Sequence, residues 1–314
     1  YRIDRLMAAR KKAMVYGFKG AMFPWESDDY GEESTPTFAL TGPLEHHITA
    51  DISIACWNYY CLTRDGQWLR TKAFPLMKAV ADFWVSRVTR NDDGSYSICN
   101  VVGADEYANG VDDNAFTNGA AIRALEYACE AAKICNEPVP EIWEEVGKGI
   151  RILRFKDGVT REHATYNGEM IKQADVNLLG YPLYFVGDAE SQKKDMEYYV
   201  DNIDPQNGPA MSYSVFCVQY ARMGDAKRAY EMFCRCYQPN LRAPFGVLAE
   251  TPTSDNPYFM TGAGGLLQAV INGFCGLQIT DGGVEQLSSV LPAHWKKVTV
   301  KGVGSEKKMY VRER

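Results

Sequence analysis

Two glutamates stand where a packed helical protein has no structural use for a carboxylate. Glu106 lies in Val-Val-Gly-Ala-Asp-Glu-Tyr and Glu250 in Val-Leu-Ala-Glu-Thr-Pro-Thr, stretches that Gly or Pro marks as irregular. Around them lie Phe23-Pro-Trp-Glu-Ser27, Lys172-Gln-Ala-Asp175 and the Gly-rich Thr261-Gly-Ala-Gly-Gly265. Carboxylates can move protons at an acetal, amides and a Lys can fork onto hydroxyls, and indole faces can cover the apolar side of a pyranose. Acetal hydrolysis commonly uses two carboxyl groups, about 5–5.5 Å apart for retention and about 6.5–9.5 Å apart when a water must fit between them. Taken singly, a loop Glu is more often a surface or capping residue. Nothing in composition or spacing brings these two together; only a fold can.

The elements that must position them read as helices over residues 2–16, 48–63, 66–90, 114–135, 141–153, 191–203, 210–223, 225–237 and 258–274, each with apolar residues at three-to-four spacing. The stripe is nearly continuous through Leu69, Ala73, Phe74, Met77, Val80, Ala81 and Trp84. Gly119-Ala-Ala121 and the alanines from Ala124 to Ala132 give a small-residue face suited to close helix approach. Long polar loops alternate with short connectors, and the candidate residues fall in the long ones. Such alternation predicts an all-α fold, an α/α toroid with function on the loops of one mouth. No sequence repeat indicates a solenoid. From Leu277 the texture changes to short alternating runs at 277–280, 287–291 and 297–301, separated by Gly-Gly, Pro and Gly-Val-Gly. We therefore expect a catalytic helical domain over 1–276 and the start of a C-terminal β domain over 277–314.

Bulk properties narrow the function. The chain has 314 residues, 46% apolar and 24% charged, with a net charge of −6 and a pI near 5.4. That balance offers no basic cluster for nucleic acid or an anionic membrane, and no apolar run reaches the length of a bilayer span. Nine cysteines, an odd number, lie mostly on apolar helix faces, and the C-x-C pair Cys234/Cys236 has no neighbouring ligands. Reduced thiols and a cytoplasmic location follow as expectations. His47 and Asp51 share a helix face at i, i+4, which reads as a buried hydrogen-bonded pair more readily than as a two-ligand metal site. No metal or cofactor is implied.

Several motifs occur together in order: Gly17 to Ser27, His47-Ile-Thr-Ala-Asp51, Gly103-Ala-Asp-Glu-Tyr107 with Asp113-Asn-Ala-Phe-Thr-Asn118, and Lys172-Gln-Ala-Asp-Val176. This order resembles glycoside hydrolase family 65 across essentially the whole chain. The resemblance implies a partial (α/α)6 barrel leading into a C-terminal β domain, and action on α-glucosides with inversion, by hydrolysis or phosphorolysis. It implies Glu106 as general acid, Asp105 as a supporting carboxylate, and Trp25, Glu26, Lys172 and Gln173 as residues that hold the glucose ring. Glu250 resembles the general base of the hydrolytic members. The phosphorylases instead carry His and Ser before a Gly-Gly pair, where this chain has Tyr258 to Ala263 ahead of Gly264-Gly265.

Ala104 and Ala108 replace the Pro and His that many members carry around Asp-Glu-Tyr, which leaves the aglycone side open. The resemblance also implies an upstream Trp-Asp motif, an N-terminal sandwich and first barrel helices, so truncation before Tyr1 is expected. Three readings stand at this point. One is an inverting hydrolase of a small α-glucoside with a kojibiose-type α-1,2 or trehalose-type linkage. The second is an inverting phosphorylase releasing β-glucose 1-phosphate, and the third is a carbohydrate-binding barrel without activity. A homodimer is compatible with each.

Overall fold

A computed structural model describes residues 1–185, 188–256 and 258–314. Its contacts divide the chain into two compact units, Tyr1–Asn167 and Gly168–Arg314.

The first unit is built on α1 (Leu6–Val15), α2 (His47–Thr63), α3 (Phe74–Arg87), α4 (Ala115–Cys135) and α5 (Glu141–Gly149). Helix α4 is the centre. Fifteen of its residues are buried, most of them Ala, Gly or Cys, so α2, α3 and α5 can all pack against it. Its ends follow local chemistry: the Asn114 side chain accepts from the Thr117 N–H at 2.9 Å, and Asn136 closes the helix in the left-handed region at φ 58°. Helix α3 is entered through one wide π turn, Leu69–Ala73, in which the Phe74 N–H reaches back to Leu69 O. Pro75 follows immediately. Its ring cannot sit against a regular carbonyl ladder, and the wider turn removes that clash. A small hairpin, β1 (Thr89–Arg90) with β2 (Tyr96–Ser97), leads into the loop that carries Glu106.

The second unit holds α6 (Ala189–Tyr199), α7 (Met211–Arg222), α8 (Ala226–Arg235) and α9 (Met260–Gln268), the last continuing as a π segment to Phe274. Helix α7 is buried over most of its length and packs on α8, α9 and the π segment. Asp188 and Asp225 cap α6 and α8, accepting from Ser191 N at 2.7 Å and Arg228 N at 2.9 Å. A two-residue ladder, β3 (Leu241–Arg242) with β4 (Val247–Leu248), precedes Glu250. Two hairpins end the unit: β5 (Leu277–Thr280) with β6 (Gly283–Gln286), and β7 (Lys297–Val303) with β8 (Lys308–Glu313).

One sequence expectation is corrected here. Residues 287–291 are not a strand. The Asp281-Gly282 turn folds 283–286 back onto 277–280 instead. The following residues give their backbone groups to helix ends and turns, with Leu287 N to Gly276 O at 2.8 Å and Val290 N to Ala221 O at 3.1 Å. The Thr261–Gly265 stretch forms the first turns of α9, inside the helix expected over 258–274. Gly265 serves packing, since a Cβ there would come to 2.5 Å from Ser214 Oγ on α7, whereas one at Gly264 would meet nothing within 4 Å. Only glycine lets the two helices meet there.

Candidate active site

Of the six residues singled out by sequence, Trp25, Glu26 and Glu106 belong to the first unit and Lys172, Gln173 and Glu250 to the second.

In the first unit, Trp25 and Glu26 sit on a loop held by Glu33. One oxygen of that carboxylate accepts from Trp25 N at 2.9 Å, the other from Glu26 N at 3.1 Å and from the Thr35 hydroxyl at 2.6 Å. Lys12 on α1 reaches it from behind. Burial alone would raise the Glu33 carboxyl, but these donors and the Lys12 charge outweigh burial and hold it below the usual range. Trp25 is half-buried and Glu26 exposed. Glu106 lies at the tip of a tight turn. Val101 and Val111 exchange both backbone bonds at 2.9 Å, and Ala108 N closes onto Asp105 O at 2.9 Å. Asp105 is buried, its carboxylate accepting from Tyr107 N at 3.2 Å, while Glu106 keeps partial exposure. Asp113 anchors the loop base through Arg151 at 2.8 Å.

Beneath Trp25 lies a charged cluster. The His47 ring meets the indole edge-on, with centroids 5.5 Å apart. Its Nδ1 faces Asp51 at 2.7 Å and its Nε2 faces Glu45 at 2.8 Å. The i, i+4 pair read from sequence is thus present, with Glu45 as a further member that no spacing or motif marked. With a carboxylate at each ring nitrogen, both nitrogens donate and the imidazolium is favoured. Burial opposes that charge, but Asp51 and Glu45 outweigh it and push His47 up to about 10. Glu45 is in turn raised by burial, against the pull of His47 and with added repulsion from Glu106 and Asp51. Glu106 is therefore close enough to be felt by this cluster.

His46, the preceding residue, is the opposite case. Its Nδ1 accepts from Arg87 Nε at 3.0 Å and its Nε2 donates to Pro43 O at 2.8 Å, so the neutral ring is the one that fits. Burial and the Arg87 charge lower it to about 3.

These neighbours predict opposite pH slopes. The His47 contribution is fully present below its ordinary pKa of about 6.5 and fades as pH rises through about 10. The His46 contribution is present above about 6.5 and fades as pH falls towards about 3. Urea midpoints measured from near-neutral pH upwards should fall more steeply in the parent than in His47→Gln. Parallel curves would show that His47 is not the titrating group.

In the second unit, Lys172 Nζ stands 3.7 Å from Glu250 Oε1, both side chains partly exposed. The segments that carry them meet at the start of α7: Ala174 N donates to Ser212 Oγ at 3.1 Å, and Ala210 N to Glu250 O at 3.1 Å. Asn240 adds donations to Ala249 O at 3.1 Å and Glu250 O at 3.0 Å. Gln173 is buried beside Lys172. Lys172 and Glu250 are thus brought together although they are remote in sequence. The arrangement is a solvent-reachable carboxylate with an ammonium beside it, on a backbone fixed from two sides. Among the described residues no group of three or more His, Cys, Asp or Glu is arranged to hold a metal ion, and no helix is long and apolar enough to cross a membrane.

The helical scaffold, the loop carboxylates and the ordered motifs define the class: the chain belongs to glycoside hydrolase family 65. Residues 1–153 match the family description "Glycosyl hydrolase family 65 central catalytic domain". Over 311 residues the chain is 52% identical to a kojibiose hydrolase of Mucilaginibacter mallensis, covering 99% of this chain and 46% of that protein. A kojibiose hydrolase of Flavobacterium johnsoniae is likewise 52% identical over 312 residues, with 99% and 46% covered. The chain thus spans about half the length of these curated relatives. A solved structure provisionally assigned as a kojibiose phosphorylase from the human microbiome superposes with a TM-score of 0.77 at 18% identity, covering 99% of this chain and 50% of that one. It shares the fold.

Proposed function

We propose that the protein is an inverting α-glucoside hydrolase acting on a disaccharide or glycoconjugate with a kojibiose-type α-1,2 linkage, or on a trehalose-type one. The observation that carries this reading is the 52% identity to two kojibiose hydrolases along nearly the whole chain. In this reading Glu106 protonates the glycosidic oxygen while Glu250 takes a proton from the water that attacks the anomeric carbon. Trp25 covers the apolar face of the glucose ring, and Glu26, Lys172 and Gln173 hold its hydroxyls. The helical part through residue 276 is a partial (α/α)6 barrel, with the β region beginning at 277. A cytoplasmic location, expected from the cysteine usage, belongs to the same reading.

The test uses the full-length protein with an α-1,2-linked glucose disaccharide and with trehalose, with and without inorganic phosphate, the anomers being followed by NMR. β-Glucose should appear first, at a rate that phosphate does not raise. Phosphate-dependent release of glucose 1-phosphate would replace this reading with a phosphorylase. Tight binding without turnover of any α-glucoside would replace it with a binding barrel.

A further inference from the structure

Glu250 follows β4 by two residues and enters a stretch, 249–256, that belongs to no helix or strand. Its carbonyls have no ladder to satisfy them, and a bare loop of this kind would leave the direction of the Glu250 side chain loosely set. Beyond the Ala210 N–H, which reaches Glu250 O at 3.1 Å, two side chains from the β3 side of the ladder fill that role. The Asn240 amide, 1% exposed, donates to the carbonyls of both Ala249 and Glu250, while Asn240 O accepts from Ala249 N at 2.8 Å. The Arg242 guanidinium donates through Nη2 to Thr251 O at 3.2 Å, Pro252 O at 2.8 Å and Ser254 O at 2.8 Å. Its Nη1 donates to Pro239 O at 3.0 Å and Leu241 O at 3.2 Å, and Nε lies 3.7 Å from Asp255.

We propose that Asn240 and Arg242 are positioning residues for Glu250, gripping the backbone on both sides of it so that the carboxylate is aimed by a side-chain clamp. Asn240 fixes the residue itself from within the core. Arg242 gathers the carbonyls just after it through Nη2 while its Nη1 stays on Pro239 O and Leu241 O, a span between two segments that a planar guanidinium makes and a single ammonium nitrogen does not. The inference rests on Glu250 being the general base, since a misaimed base costs turnover and not sugar binding. A displacement of about 1 Å at a reacting group is worth roughly 10²-fold in rate.

The experiment compares Arg242→Lys, Asn240→Asp and Glu250→Gln in the full-length protein on an α-1,2-linked disaccharide and on α-glucosyl fluoride. Arg242→Lys keeps the charge and loses the fork; Asn240→Asp keeps the shape and loses both donations. Each should lower kcat by about 10²-fold, with KM nearly unchanged and near-UV circular dichroism preserved. The loss should be equal on the two substrates, because both need an activated water whereas only the disaccharide needs a protonated leaving group. Should the buried Asn240→Asp fail to fold, the partly exposed Arg242→Lys decides alone. Parental kcat in a folded Arg242→Lys variant overturns the clamp, and so does a loss that appears in KM or only tracks the folded fraction. Survival of activity in Glu250→Gln would instead sink the base assignment, which keeps the two failures apart.

Discussion

Glu250→Gln should abolish hydrolysis of an α-linked disaccharide by the full-length protein while leaving sugar binding nearly intact. The amide matches the carboxylate in size but cannot take a proton from water, and loss of a positioned base typically costs about 10²–10⁴-fold in rate. Affinity should change little, because the proposed partner of this carboxylate is the attacking water and not the sugar. Lys172 is the neighbour to watch, since its ammonium lies 3.7 Å from the carboxylate and would lose an ionic partner. The check is kcat from steady-state kinetics beside the dissociation constant of glucose by calorimetry. A variant with parental kcat, or one whose defect lies wholly in binding, would remove Glu250 from the chemistry.

Glu106→Gln should separate two substrates that differ in their leaving group. Turnover of the disaccharide should fall by about 10²–10⁴-fold, because the departing sugar oxygen needs a proton. α-Glucosyl fluoride should be hydrolysed at close to the parental rate, fluoride being able to leave with little protonation. Glu106 suits this contrast structurally: it sits at the tip of a turn closed by the Val101–Val111 pair and is partly exposed, while Asp105 beside it is buried and engaged with the Tyr107 N–H. Equal losses on both substrates would show that Glu106 does not supply the leaving-group proton.

The two carboxylates were legible in the sequence for different reasons from the residues that hold them. Helices such as α4 and α7 declare themselves through apolar and small-residue periodicity, because burial of a face is a local pattern. Glu106 and Glu250 stand out because Gly and Pro remove them from that pattern, and the resemblance to a family gives them roles. Glu33, Glu45, Asn240 and Arg242 carry no such mark. Each is an ordinary polar residue whose work is defined by backbone groups or side chains that only the folded chain brings to it. The one misread stretch has the same origin. Residues 287–291 alternate like a strand, yet their backbone is taken up by Gly276 and Ala221. The Gly-rich Thr261–Gly265 run is helical as its spacing predicts, but its packing role is not in the pattern: the missing side chain at Gly265 is what lets α9 lie against α7. Composition alone cannot tell a glycine kept for motion from one kept for contact.

Helix α4 bears on how this protein can diverge. Most of its buried positions are already filled by the smallest side chains, among them Gly119, Ala120, Ala121, Ala124, Ala128, Ala131 and Ala132, with three neighbouring helices pressed against it. Enlarging one of these pushes a neighbour outward, at a typical penalty of about 1–3 kcal/mol, and there is little left to trim in exchange. The axle of the first unit is therefore closed to gradual drift. Variation is channelled into the loop ahead of its N-cap, where Tyr107 of the Asp-Glu-Tyr turn is exposed, although Ala104 and Ala108 flanking that turn are themselves buried. New substrate preferences can accumulate there while the scaffold that holds Glu106 stays fixed.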